Sequence, residues 1–137
     1  MNRFEGYLIN TCDECIKYVD TVDKPNVKVM LDTFHMNIEE DSLIDAIIKA
    51  GSRLGHFHVG EANRKPPRAG RMPWKEIGDA LRSINYDGCV VMEPFVVPGG
   101  GVGKDIRIWR ELFPDVSEEF LDKDAAESVK YLKEKFQ

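Results

Sequence analysis

The sequence predicts an α/β fold built on parallel strands, and three observations predict it. Short apolar runs of strand length alternate with longer segments of helical periodicity. The runs are continuously apolar rather than alternating, as in strands covered on both faces. A ligand-capable polar residue stands at the end of each run: Asp32, His58 and Glu93.

Taken in order, residues 9–22 carry Ile9, Cys12, Ile16 and Val19 at helical spacing, and Pro25-Asn26 ends that helix. Val27 to Leu31 reads as a strand that delivers Asp32. Asp41-Ser42 is placed to cap a second helix, with Leu43, Ile44, Ile47 and Ile48 as its buried stripe and Gly51 as its stop. Leu54 to Val59 is the second strand. A polar loop from Gly60 to Met72 holds three arginines and two prolines. Pro73-Trp74 opens a third helix, with Ile77, Ala80, Leu81 and Ile84 inward. After the Tyr86-Asp87-Gly88 turn, Cys89 to Met92 forms the third strand, and Cys89 is expected to be a small core residue. The glycine-rich stretch Gly99–Gly103 leads to a short helix around 104–112. A last helix over 117–136 is expected to turn Phe120, Leu121, Val129, Leu132 and Phe136 inward. Strands alternating with helices imply parallel pairing through right-handed crossovers. Either a doubly wound sheet or part of a (β/α)₈ barrel satisfies the pattern.

Composition narrows the class of function. The 137 residues suffice for one domain, and the net charge of −5 argues against a nucleic-acid or anionic-membrane partner. No run is long enough to cross a membrane, and the first residues lack a signal-peptide pattern, so a cytoplasmic location is expected. Cys12 and Cys15 form a C-x-x-C pair without a second pair. A structural zinc needs four ligands, so we read them as two thiols one turn apart on a helix.

The strand ends carry the chemistry. Side chains at the C-terminal ends of consecutive parallel strands converge, and in a (β/α)₈ barrel they converge on the active site. Buried carboxylates without partners are costly. Two carboxylates and one imidazole meeting at a point suit a divalent cation with mainly oxygen ligands, such as Mn²⁺, Mg²⁺ or Co²⁺. Each residue alone has an ordinary reading: Asp32 as a helix cap, His58 as a core histidine, Glu93 as a loop residue. Their recurrence at one position in three successive units favours a shared site.

Four stretches, 29–40, 55–64, 70–74 and 91–95, resemble the D-psicose/D-tagatose 3-epimerases, which belong to the xylose isomerase-like barrels. The similarity reaches back to Asn2-Arg3-Phe4-Glu5. It implies the C-terminal half of a (β/α)₈ TIM barrel, holding the last three strands and their helices in one domain. It implies Asp32, His58 and Glu93 as three of four metal ligands, with Mn²⁺ first and Co²⁺ or Mg²⁺ as alternatives. Glu93 is also implied as one of two glutamates exchanging the proton at C3 of a ketohexose. Glu5, His35 and Arg64 are implied to bind the sugar's oxygens, and Phe95 to lie against its apolar edge. The implied substrate is a small ketose, with no nucleic acid and no membrane.

A whole barrel needs about 250 residues, so the resemblance covers half of one. The fourth ligand and partner glutamate would lie before Glu5. Open strand edges are an association hazard, so a homo-oligomer is expected. The competing readings are a non-catalytic half-barrel that self-associates and an aldose–ketose isomerase.

Overall fold

In the computed structural model, which describes residues 1–68 and 70–137, helices α1 (Cys12–Val22), α2 (Thr33–Glu39), α3 (Leu43–Ala50) and α4 (Trp74–Ser83) flank a small sheet. Its strands are β1 (Val29–Asp32), β2 (Leu54–Val59) and β3 (Val90–Met92), and α5 (Gly100–Asp105) and α6 (Glu118–Lys135) follow. One residue of the Gly60–Met72 loop, position 69, lies outside the described residues. The sheet order is β1-β2-β3, and both pairings are parallel.

The helix boundaries follow from capping chemistry. Thr11 and Glu14 form a reciprocal capping box at the start of α1, satisfying two of the backbone donors that a helix N-terminus leaves open. Ser42 caps α3 through Asp45 N–H, and Gly51 at φ 52° ends it in a conformation that suits a residue without Cβ. Gly78 in α4 lets the end of α6 approach: a Cβ there would come within 2.8 Å of Phe136 and 2.9 Å of the Lys135 carbonyl.

The core lies between the sheet and the helices. Val29, Leu31, Phe57 and Val59 project from one sheet face into a cluster with Ile47, Ala50, Ile77 and Leu81. Phe57, Ile47 and Ile77 are fully buried, and each such side chain contributes about 1.5–3 kcal/mol of transfer free energy.

The opposite sheet face is where the functional side chains gather, and register explains why. Asp32 pairs with His58, and His58 pairs with Val91. Paired residues in a parallel sheet point to the same side, and direction alternates along each strand. Asp32, His58 and Val91 therefore share a face, as do Met30 and His56 two residues earlier, and Glu93 two residues past Val91. This face is open: Met30 is 49% exposed and Val91 38%.

Six expectations change. Ile48 is exposed rather than buried, because α3 buries Ala46, Ile47 and Ala50 and one residue further turns the side chain about 100° away. The strands are covered on one face rather than both, since the face carrying Met30 and Val91 has no helix over it among the described residues. A helix, α2, follows β1 directly, because the Asp32 carboxylate that ends the strand also caps the helix. The short helix after the glycines lies at Gly100–Asp105 rather than around 104–112, starting within the glycine-rich stretch from Gly99 at φ 122°. Cys89 is exposed rather than in the core, since it precedes the edge strand β3, where Val90 is exposed as well. Val129 is exposed because the buried stripe of α6 is Asp124, Ser128 and Leu132, and one further residue turns the side chain about 100° away. The polar members of that stripe are accounted for in part by Arg68, which pairs with Asp124 and Glu127.

Candidate metal centre and substrate cleft

Three ligand-capable atoms meet where β1, β2 and β3 end. Asp32, His58 and Glu93 each present one such atom, all within 4.8 Å of one another. His58 Nδ1 lies 3.6 Å from Asp32 Oδ2 and 3.9 Å from Glu93 Oε2. Those separations exceed a good hydrogen bond, and His58 Nδ1 is buried with no hydrogen-bond partner among the described residues. A buried imidazole nitrogen facing two carboxylate oxygens at such distances fits a cation between them. The donor set, two carboxylates and one imidazole, suits a divalent ion of the Mn²⁺, Co²⁺ or Mg²⁺ kind.

The two oxygens of Asp32 have separate tasks. Oδ1 accepts from Phe34 N–H at 2.8 Å and from His35 N–H at 3.4 Å, which fixes the carboxylate on the N-terminus of α2 and leaves Oδ2 facing His58. Thr33 locks the same corner. Its hydroxyl donates to the Gly60 carbonyl at 2.8 Å and accepts from Gly60 N–H at 2.9 Å, tying the ends of β1 and β2 together. Glu93 has no such support and is 45% exposed at its side chain.

A second cluster stands beside the first. Arg64 is 6% exposed, at φ 65°, and its guanidinium donates to both oxygens of Glu5 at 3.1 and 2.9 Å. Its Nη1 lies 3.5 Å from Glu93 Oε2 and, though buried, has no hydrogen-bond partner among the described residues. The guanidinium also stacks on Phe34 at 3.8 Å and stands 5.1 Å from the ring centre of Phe95, whose N–H donates to the Arg64 carbonyl. His35 Nδ1 is approached by Asn2 N–H at 3.1 Å and by the Asn2 side-chain amide at 2.9 Å. Two donors on one nitrogen place the ring proton on Nε2. Burial holds the His35 pKa below its ordinary value; Asp32 opposes that shift and Arg64 reinforces it.

A cleft of about 330 Å³ opens here, lined by Asp32, His35 and Glu93 with Met30, Ile9 and Met36. Phe95 is not part of that wall. It lines a separate recess with Arg64, Arg107 and Trp109.

Three supporting residues were missed from sequence. Asn2 is 1% exposed and organises both Glu5 and His35. Its Oδ1 accepts from Phe4 N–H, an Asx turn that the Asn-x-x-Glu spacing could have signalled. Glu61 is buried and accepts from Trp74 Nε1 and from Arg68 N–H, which folds the loop presenting Arg64. Thr33 had no signal beyond its place after Asp32.

The model of the xylose isomerase-like TIM barrel family matches residues 1–134. The chain belongs to that family. Within the xylose isomerase-like TIM barrels, it is 56% identical over 136 residues to the D-psicose 3-epimerase of Enterocloster bolteae, across 99% of this chain and 45% of that protein. The solved structure of D-psicose 3-epimerase with D-tagatose from Clostridium cellulolyticum matches with TM-score 0.97 and 55% identity, over 100% of this chain and 47% of that one. The 3-dehydro-D-guloside 4-epimerase of Escherichia coli is 36% identical over 93 residues, 68% of this chain and 36% of that protein. The chain thus spans a little under half the length of the D-psicose 3-epimerases and about a third of the Escherichia coli protein, and its three parallel strands form a partial barrel. In a TIM barrel the C-terminal strand ends form the active-site mouth, and Asp32, His58 and Glu93 stand at such ends. No helix among the described residues is long and apolar enough to cross a membrane.

Proposed function

We propose that this chain carries the metal-binding part of a ketose 3-epimerase site, as the C-terminal half-barrel domain of such an enzyme, acting in the cytoplasm on D-psicose/D-fructose or D-tagatose type sugars. The convergence of Asp32, His58 and Glu93 carries the proposal. Its similarity to D-psicose 3-epimerases supports the substrate class. Asp32, His58 and Glu93 would hold the cation, Mn²⁺ first with Co²⁺ or Mg²⁺ as alternatives. When bound, it would polarise the ketone and stabilise the negative charge that develops as C3 loses its proton.

The chain's own residues do the rest. Glu93, the most exposed of the three and without a hydrogen bond to hold it among the described residues, would take the C3 proton. Arg64, held against Phe34, presents an unused N–H beside Glu93 and can bind a sugar hydroxyl or a developing oxyanion there. His35 offers Nε2–H from a ring held by Asn2, and Glu5 binds a hydroxyl from its place beside Arg64. Phe95, 5.1 Å from the Arg64 guanidinium, would lie against the apolar edge of the sugar beside it. Inversion at C3 needs a second carboxylate on the opposite face of the sugar. Glu5 does not supply it, because Arg64 and Asn2 hold it. The open face with Met30 and Val91 favours a covering partner, and self-association into a homo-oligomer is the second reading.

Proton exchange separates these readings. In D₂O with Mn²⁺, the chain is expected to wash deuterium into C3 of D-fructose, detected by NMR, and Glu93→Gln is expected to abolish it. Absence of exchange with Mn²⁺ bound would leave the self-associating, non-catalytic reading, which light scattering over a concentration series then tests.

A further inference from the structure

We propose that His56 is a positioning residue that fixes the tautomer of His58, so that His58 Nδ1 meets the divalent cation as a bare lone pair. This rests on the metal reading above. His56 and His58 lie two residues apart on β2 and so point to the same sheet face. Their Nε2 atoms are 3.1 Å apart, with ring centres at 4.9 Å and planes at 65°. Two ring nitrogens at that distance share one proton, and there are two ways to allocate it.

If His56 donates, the proton of a neutral His58 sits on Nδ1 and points at two carboxylates, 3.6 and 3.9 Å away, with no hydrogen bond formed. If His58 donates from Nε2, His56 satisfies that N–H and Nδ1 is left bare. Nδ1, Asp32 Oδ2 and Glu93 Oε2 then turn lone pairs toward one another, an arrangement that a cation stabilises. A metal-bound histidine ordinarily gives its second N–H to an acceptor that orients the ring. A carboxylate or carbonyl usually serves; here the neighbouring imidazole does. Packing does not explain His56, because it lies partly exposed on the open face with Met30 rather than in the core. The site then divides its labour. Asp32 is held by two backbone N–H groups and His58 by His56, while Glu93 is left free to carry a proton.

Calorimetric titration of the 137-residue chain with Mn²⁺ tests this. His56→Phe is expected to weaken binding by about 10–100-fold, the usual loss on removing such a support. His56→Gln, which keeps an acceptor, is expected to recover most of it. Independently of any variant, ¹⁵N–¹H imidazole NMR of the wild-type chain with Mg²⁺ is expected to place the His58 proton on Nε2. A His58 proton on Nδ1 would overturn the proposal. So would wild-type Mn²⁺ affinity in His56→Phe where Asp32→Ala binds more weakly. If Asp32→Ala also binds as the wild type does, the metal reading fails first and this inference falls with it.

Discussion

Replacing Arg64 by Met tests how the second cluster is held. The change removes the guanidinium that donates to both Glu5 oxygens and stacks on Phe34, but keeps an apolar stem of similar length. Removing one partner of a fully buried ion pair costs about 3–5 kcal/mol, because the other charge is left uncompensated. Here the penalty is smaller. The Glu5 side chain is 19% exposed and keeps the Asn2 amide, and Glu93 reaches water. The lost cation–π contact adds about 1 kcal/mol, partly replaced by methionine packing. A destabilisation of about 2–3 kcal/mol follows, read from urea unfolding followed by circular dichroism. Arg64→Lys is expected to restore no more than half of it, since an ammonium neither bridges both oxygens nor stacks as a plane. Stability of Arg64→Met within about 0.5 kcal/mol of the wild type, the range of ordinary surface substitutions, would refute the claim that Arg64 organises this corner.

Thiol chemistry and acid stability give further checks. Burial, reinforced by Glu40, pushes the Cys12 thiol up to about 11, and burial also raises Cys15, whereas Cys89 is exposed. Reaction with Ellman's reagent at pH 8 is therefore expected to show one fast thiol, lost in Cys89→Ser; two or three fast thiols would contradict the burial of α1. For His35 the folded pKa lies below the unfolded value of about 6.5. The unfolded chain therefore takes up the proton first. The stability contributed by neutral His35 is fully present above about pH 6.5 and is lost as pH falls through the folded value. Urea midpoints between pH 7 and 5.5 are expected to fall less steeply in His35→Gln; an unchanged slope would remove His35 as the cause.

The parallel α/β order was legible because strand-length apolar runs and helix stripes differ in period, and because Ser42 and Gly51 mark the ends of α3. Asp32, His58 and Glu93 were legible for a related reason: once strands are parallel, residues at their C-terminal ends must converge. What failed lay where one residue serves two elements or where exposure depends on distant packing. Asp32 both ends β1 and caps α2, so a seven-residue helix was hidden behind a strand terminus. Cys89 and Val129 were assigned inward from local apolarity, but β3 is an edge strand and α6 buries its Asp124–Ser128–Leu132 stripe instead. The contact of Asn2 with His35, 33 positions away, has no local signal, because only the fold brings the two together.

The most direct measurement is an anomalous difference map, at the manganese edge, from crystals of the chain grown with Mn²⁺. One strong peak is expected, bounded by Asp32 Oδ2, His58 Nδ1 and a carboxylate oxygen of Glu93, and it is expected to vanish in Asp32→Ala. A peak held by other residues, or none at saturating Mn²⁺, would contradict the metal reading.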